Sequence, residues 1–276
     1  MAGERIDYTA AAVEAAKSVL IELMHILGEY RDDMVLVGGW IPDLLIPTSL
    51  ERHVGSIDVD VALNHRELTE AGYRMIGEIL RQHGYTPDPQ QPFIFRKAVR
   101  GQMVQVDFLA GEYGGTGRGR RTQRALDMQP RKARGCDLAF QIPPAQISLK
   151  GKLPDGAVDE VRVQIASVVP FIAMKGIAME DRRKAKDAYD VHFILQNYPG
   201  GVDGVVKSFH PHLKLSLVQE GLKKLAGKFA SLDHVGPRDA AEFEETLDRD
   251  ERAIRQRDAF EKVNHLLRQL GIGWSP

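Results

Sequence analysis

The sequence predicts an α/β (α+β) protein, with a mixed-sheet core over residues 1–150 and a mainly helical domain over 151–276. Three observations carry this reading. Short apolar or strictly alternating runs, MVLV and SIDVDV among them, are interleaved with helical periodicity in the first part. A segment holding Pro143, Pro144, Pro154 and several glycines follows at about 145–167. Beyond it the apolar residues recur at helical spacing almost throughout.

The elements follow in order. Val13, Ala16, Leu20, Leu23 and Leu27 recur as on one helix face, which predicts an amphipathic helix over 8–30. MVLVGGW reads as a buried strand ending in a tight turn, and SIDVDV (56–61) as a second strand. A helix over 66–82 ends near Gly84. FIFRKA (93–98) and MVQVDFL (103–109) flank Arg100-Gly101 as a hairpin. The glycine- and arginine-rich GEYGGTGRGRRTQ comes next, and short strands near 137–141 and 161–165 complete the sheet. Helices are expected at 168–179, 182–197, 213–229, 238–247 and 250–270.

Composition narrows the class. Hydrophobic residues make up 43% and charged residues 27% of 276, the balance of a folded globular chain. The single cysteine, Cys136, excludes an intramolecular disulfide and a cysteine-built zinc site. That suits a reducing compartment, and a cytoplasmic location is expected. The N-terminus lacks a signal-peptide pattern, and no apolar run approaches the roughly 20 residues of a bilayer span. Net charge is -1, yet Arg118, Arg120, Arg121, Arg124, Arg131, Lys132 and Arg134 face one acid, Asp127, in a local basic stretch.

Asp58 and Asp60 lie two apart in a predicted strand, so both leave the same face while Ile57, Val59 and Val61 face a core. In the later strand Val104, Val106 and Phe108 form the apolar face, and Gln105 and Asp107 share the other. If the strands are neighbours, three carboxylates gather. Such a cluster repels itself, and a pair of magnesium ions relieves it, because that hard cation prefers oxygen ligands. Two ions about 3.5–4 Å apart are a common device for phosphoryl or nucleotidyl transfer. The plainer alternative is an exposed strand face with solvated acids. Gly38-Gly39 would let backbone N–H groups approach a phosphate, aided by a helix starting near Trp40, or would simply make a strand-to-helix turn.

Taken together, VLVGGW, SIDVDV and VQVDF resemble the signature of the polymerase-beta-like nucleotidyltransferase superfamily: an hG[G/S] turn, a D-x-D strand and a third carboxylate on a later strand. FIAMKGIAMEDRRKAKDAYDVHFIL is similar to the lysine-then-K-D-x-x-D helical region of the AbiEii/MenT-type branch, often toxins of toxin–antitoxin pairs. The resemblance spans about residues 34–195. It implies a mixed-sheet nucleotidyltransferase core, an NTP substrate and Mg2+, two ions. Gly38 and Gly39 would hold the triphosphate. Asp58, Asp60 and Asp107 would bind metal, Asp107 also helping to deprotonate the attacking hydroxyl. Lys175 would neutralise triphosphate charge, with Asp187 as the downstream acid and Asp190 behind it, the helical domain bringing Lys175 and Asp187 to the cleft. The implied acceptor is RNA, such as a tRNA 3′ end, and a toxin role implies an antitoxin protein as partner. The gap between Gly39 and Asp58 is longer than the compact form of the motif.

The residues themselves admit more modest roles. Arg183–Asp187 and Lys186–Asp190 are i,i+4 pairs that could decorate a solvated helix, with Ala185, Ala188, Tyr189 and His192 as its buried stripe. Lys175 could snorkel from an apolar helix. GGTGRGR matches neither phosphate-loop pattern, and His210-Pro-His212 is too sparse for zinc. Two alternatives remain for the whole chain: a small-molecule (antibiotic) nucleotidyltransferase, and a nucleotide-binding or interaction module without turnover.

Overall fold

The computed structural model describes residues 4–112, 128, 130–245 and 248–273, so the arginines Arg118, Arg120, Arg121 and Arg124 lie outside the described residues. The chain divides into two compact units by internal contacts: 8–41 with 54–166, and 1–7 with 42–53 and 167–276. The late boundary falls at Ala166, past residue 150, because the last two strands complete the sheet.

The first unit opens with α1 (Ala10–Ile26), whose N-cap Thr9 accepts from the amide of Ala12. After β1 (Met34–Val37) the chain turns through Gly38–Trp40 into the five-residue α2 (Ile41–Leu45), whose residues from Pro42 onward belong to the second unit. Then come β2 (Asp58–Leu63), α3 (Glu70–Gln82), β3 (Thr86–Pro87), β4 (Ile94–Val99), β5 (Gln102–Ala110), β6 (Arg131–Lys132), α4 (Leu138–Gln141), β7 (Ala145–Lys152) and β8 (Val158–Ile165). The strands form one mixed eight-stranded sheet in the order β3-β4-β5-β2-β1-β8-β7, with β6 on β5. β2 runs parallel to β5 and antiparallel to β1, and β1 runs parallel to β8.

Alternation sorts the sheet into two faces. Val59, Val61, Val106, Phe108, Val163 and Leu36 are buried. Pair partners share a face, which puts these residues together on the side where Gly151 meets Ile21 of α1. The opposite face carries Asp58, Asp60, Gln105 and Asp107, and further across the sheet Gln164, Arg162, Gln146 and Ser148.

Two expectations needed correction. Residues 137–141 form α4 rather than a strand, since a short apolar run alone does not distinguish the two. Residues 145–152, read only as the start of the proline- and glycine-containing segment between the two domains, are β7: Ile147 and Leu149 face inward between Gln146, Ser148 and Lys150, and Pro154, Asp155 and Gly156 make the hairpin turn.

The second unit is helical. It comprises α5 (Val168–Asp181), α6 (Ala185–Asn197), α7 (Gly201–Phe209), α8 (Ser216–Lys228), α9 (Val235–Phe243) and α10 (Arg249–Gln269), together with the 42–53 segment. α7 was not anticipated. α5 and α8 touch backbone to backbone: a Cβ on Gly176 would lie 2.2 Å from the carbonyl oxygen of Gly221, and one on Gly221 2.4 Å from that of Ala173. Only glycine allows that approach. Asp248 caps α10 by accepting from the amides of Asp250 and Glu251. Among the described residues no helix is long and apolar enough to cross a membrane.

Candidate functional site

β2 and β5 are neighbours, as the acidic cluster requires. Their register sets Asp60 directly opposite Asp107 and Asp58 opposite Gln105, so all three carboxylates leave one face of the sheet. All three are half-buried, while the intervening Val59 and Val106 are fully buried. Like charges directly opposite on neighbouring strands destabilise a sheet, so this arrangement favours a cation.

The turn after β1 is built around Asp60. Val37 pairs with Asp60 across β1 and β2, and Gly38 follows at φ +75°, in the left-handed region. A Cβ on Gly38 would lie 2.1 Å from Oδ2 of Asp60, so the backbone of the turn rests against that carboxylate. Trp40 is buried and donates its indole N–H to the carbonyl oxygen of Asp58 at 2.9 Å, fixing the start of β2. The helix expected after Gly39 is present, but five residues give it little dipole to offer a phosphate. The long gap between Gly39 and Asp58 also has an explanation: residues 42–53 belong to the helical unit.

Two neutral groups hold these acids: Ser56, which was missed from the sequence, and Gln105, whose place on the face of Asp107 the alternation gave. Ser56 donates to Asp58, and the Gln105 amide donates to Oδ1 of Asp107 at 2.7 Å. Gln105 stands two residues from Asp107 on the same face of β5, and Ser56 lies just before β2. The donor chemistry fits a hard divalent cation, since all three candidates are carboxylates on one surface. They do not stand as a preformed ligand set: among the described residues no three His, Cys, Asp or Glu side chains are gathered closely enough to hold a metal. Cys136 is buried. Burial first, then the charges of Asp137 and Asp60, push its thiol up to about 12, which favours the protonated form.

Lys175, Asp187 and Asp190 lie in the helical unit and form a different kind of site. Lys175 donates to Asp187 at 2.6 Å and to Asp190 at 2.7 Å. Asp190, with no exposed surface, also accepts from Lys186 at 2.7 Å and contacts Nε2 of His53 at 2.9 Å. Arg182 donates to Asp187 through Nε at 3.1 Å. Asp187 and Asp190 are not off the buried stripe of α6, because every residue from Lys186 to Leu195 is buried. Arg183 turns to Asp239 at 2.9 Å.

Electrostatics fix the charge states in this network. Burial opposes ionisation of Asp187 and Asp190, but the Lys175 ammonium, with Arg182 or Lys186, outweighs it and lowers both carboxyls, Asp190 far more. Burial likewise disfavours the charged Lys175, and the two carboxylates overcome it, raising its pKa. His53 is a further residue that sequence reasoning missed. Burial first, then the Lys186 charge, lowers it to about 4 against the Asp190 hydrogen bond, and its ring stacks on Tyr189 at 5.2 Å. It is therefore neutral near pH 7.

No family profile matches the chain, and no curated protein matches it significantly. Among solved structures the chain is similar to a STING-associated CdnE c-di-GMP synthase from Capnocytophaga granulosa, at 12% identity over 95% of this chain and 83% of that one. The TM-score is 0.30, and so slight a likeness says nothing about substrate or reaction.

Proposed function

We propose that the chain is a metal-dependent nucleotidyltransferase that moves an NMP group from an NTP to a hydroxyl acceptor, RNA in the first instance. The observation that carries this reading is the register of β2 on β5, which sets Asp60 opposite Asp107 with Asp58 two residues along on the same face. The resemblance of the motifs to known nucleotidyltransferases supports it from the sequence side. Asp58, Asp60 and Asp107 would hold magnesium, which when bound supplies positive charge to the triphosphate and to the developing negative charge of the transfer.

The acceptor oxygen attacks the α-phosphorus, forming a new P–O bond. The bond to the bridging oxygen breaks, and the electron pair leaves with pyrophosphate. Asp107 takes the hydroxyl proton. Gly38, whose lack of a side chain lets the turn lie against Asp60, would let backbone amides approach the phosphates beside the acids, with Gly39 next to it. For Lys175 to neutralise phosphate charge as well, it would have to exchange Asp187 or Asp190 for the nucleotide. A toxin role paired with an antitoxin rests on the motif resemblance alone.

The test is incubation with each α-labelled NTP, magnesium and total RNA, comparing wild type with Asp58→Asn. Label should enter RNA with the wild type and fall roughly 100-fold or more in the variant, the scale of losing one group that stabilises transition-state charge. Equal labelling by both proteins would remove Asp58 from the site. Label in a small molecule instead of RNA would change the acceptor class, and nucleotide binding without product would restore the non-catalytic reading.

A further inference from the structure

The polar face of the sheet continues beyond the acidic residues onto β8 and β7, where it borders a cavity of about 360 Å³. Gln146, Ser148, Arg162 and Gln164 line it from the strands, and Arg31 and Asp32 from the turn before β1. Gln146 faces Gln164, and Ser148 faces Arg162, so the four side chains stand in two cross-strand pairs. Gln164 donates to the carbonyl oxygen of Arg31 at 3.2 Å, which ties the turn to the strand. Arg31 and Arg162 are both exposed, and among the described residues neither guanidinium makes an ion pair. The lining thus offers two guanidinium forks without an ion pair among the described residues and two amides, beside the carboxylates of Asp32, which accepts from Gln164 at 3.5 Å, and Glu160, which accepts from Ser148.

From this we infer that the cavity is a binding surface for single-stranded RNA, with Arg31 and Arg162 gripping phosphodiesters and Gln146 and Gln164 reaching base or ribose edges. Planar guanidinium forks match phosphate oxygens, and amides present both a donor and an acceptor. The inference rests on the nucleotidyl-transfer reading for the identity of the strand as acceptor. Asp60 is level with Val37 on β1, and Leu36 with Ile165 on β8. At about 4.8 Å between strands and about 3.3 Å per residue, Gln164 lies about 12 Å and Arg162 about 16 Å from Asp60 at the backbone. At about 3.4 Å per stacked nucleotide this is a few nucleotides of strand. β1, with buried Val35 and Val37, separates the two places, so the cavity is an anchoring surface rather than a wall of the acidic site.

The test is fluorescence anisotropy of a short fluorescein-labelled single-stranded RNA of mixed sequence, titrated with the full chain at several salt concentrations. Arg31→Ala/Arg162→Ala should weaken binding about tenfold or more and make the plot of log K against log salt shallower by about 1.4, the loss of two single-strand phosphate contacts. Arg31→Lys/Arg162→Lys should recover part of the affinity. Arg5→Ala/Arg257→Ala, an equal charge change at exposed positions elsewhere, should leave it within about twofold. No binding by the wild type, equal binding by the Arg31→Ala/Arg162→Ala protein, or equal weakening in the charge control would each overturn the proposal. If the wild type transfers nucleotide while Arg31→Ala/Arg162→Ala binds normally, the surface is lost and the reaction stands. If the Arg31→Ala/Arg162→Ala protein binds more weakly but the wild type labels nothing, the reaction is lost and the surface stands as an RNA site.

Discussion

Asp190 and Asp60 are both aspartates on regular elements, yet their surroundings differ in kind. Asp190 has no exposed surface and accepts from two lysines, with a histidine against it. Asp60 is half-buried on an open strand face, opposite another aspartate and pressed against a glycine turn. Buried charges persist only where partners compensate them, so the first acid belongs to the fold. Two acids set opposite each other at a half-exposed surface repel, so their mutual charge works against the sheet rather than for it. Sequence spacing alone did not distinguish these two environments; burial does.

The largest effect should come from breaking the buried set. Asp190→Ala leaves Lys175 and Lys186 without a shared counter-charge, and removing one partner of a buried ion pair costs about 3–5 kcal/mol. Urea unfolding at neutral pH would measure it, and a loss below about 1 kcal/mol would mean that the network is not holding α5 and α6 together. Asp60→Asn should by contrast leave the unfolding free energy within about 1 kcal/mol.

Acid should separate the regions next. Folded His53 resists a proton that the unfolded chain accepts below its ordinary 6.5, because its own value is lowered to about 4. The stability present above pH 6.5 is therefore lost as pH falls toward 4, by roughly 3 kcal/mol over that window. Asp187 and Asp190, lowered carboxyls, withdraw their share only at still lower pH. His53→Gln should flatten the fall in urea-unfolding free energy between about pH 6.5 and about pH 4. An unchanged slope would place the acid sensitivity elsewhere.

Much of this was legible in the chain because strand alternation is a strict rule. SIDVDV and VQVDF gave the faces of β2 and β5 before any pairing was known, and the register then joined their acids. What was not legible depended on long-range packing. α6 reads as amphipathic with two solvated ion pairs, but burial on all sides turned Asp187 and Asp190 inward and sent Arg183 to Asp239. His53 carries no local signal, because its partner lies 137 residues away. β7 was obscured by the prolines on either side, which here delimit a strand of a hairpin rather than mark a domain boundary.

The smallest effect bears most directly on the acids of the sheet. Asp107→Asn keeps an oxygen that can accept from the Gln105 amide and removes the negative charge opposite Asp60. Without magnesium it should raise unfolding free energy by about 0.2–1 kcal/mol, the range of a cross-strand pair. Millimolar magnesium should then stabilise the wild type, because a ligand that binds only the folded state raises stability with its concentration. The variant, with one fewer charged ligand, should respond less. Thermal melts of both proteins with and without the ion would show this without any knowledge of the acceptor. Identical magnesium responses would mean that the ion does not use Asp107, and the pairing of β2 with β5 would then be a charged surface and no more.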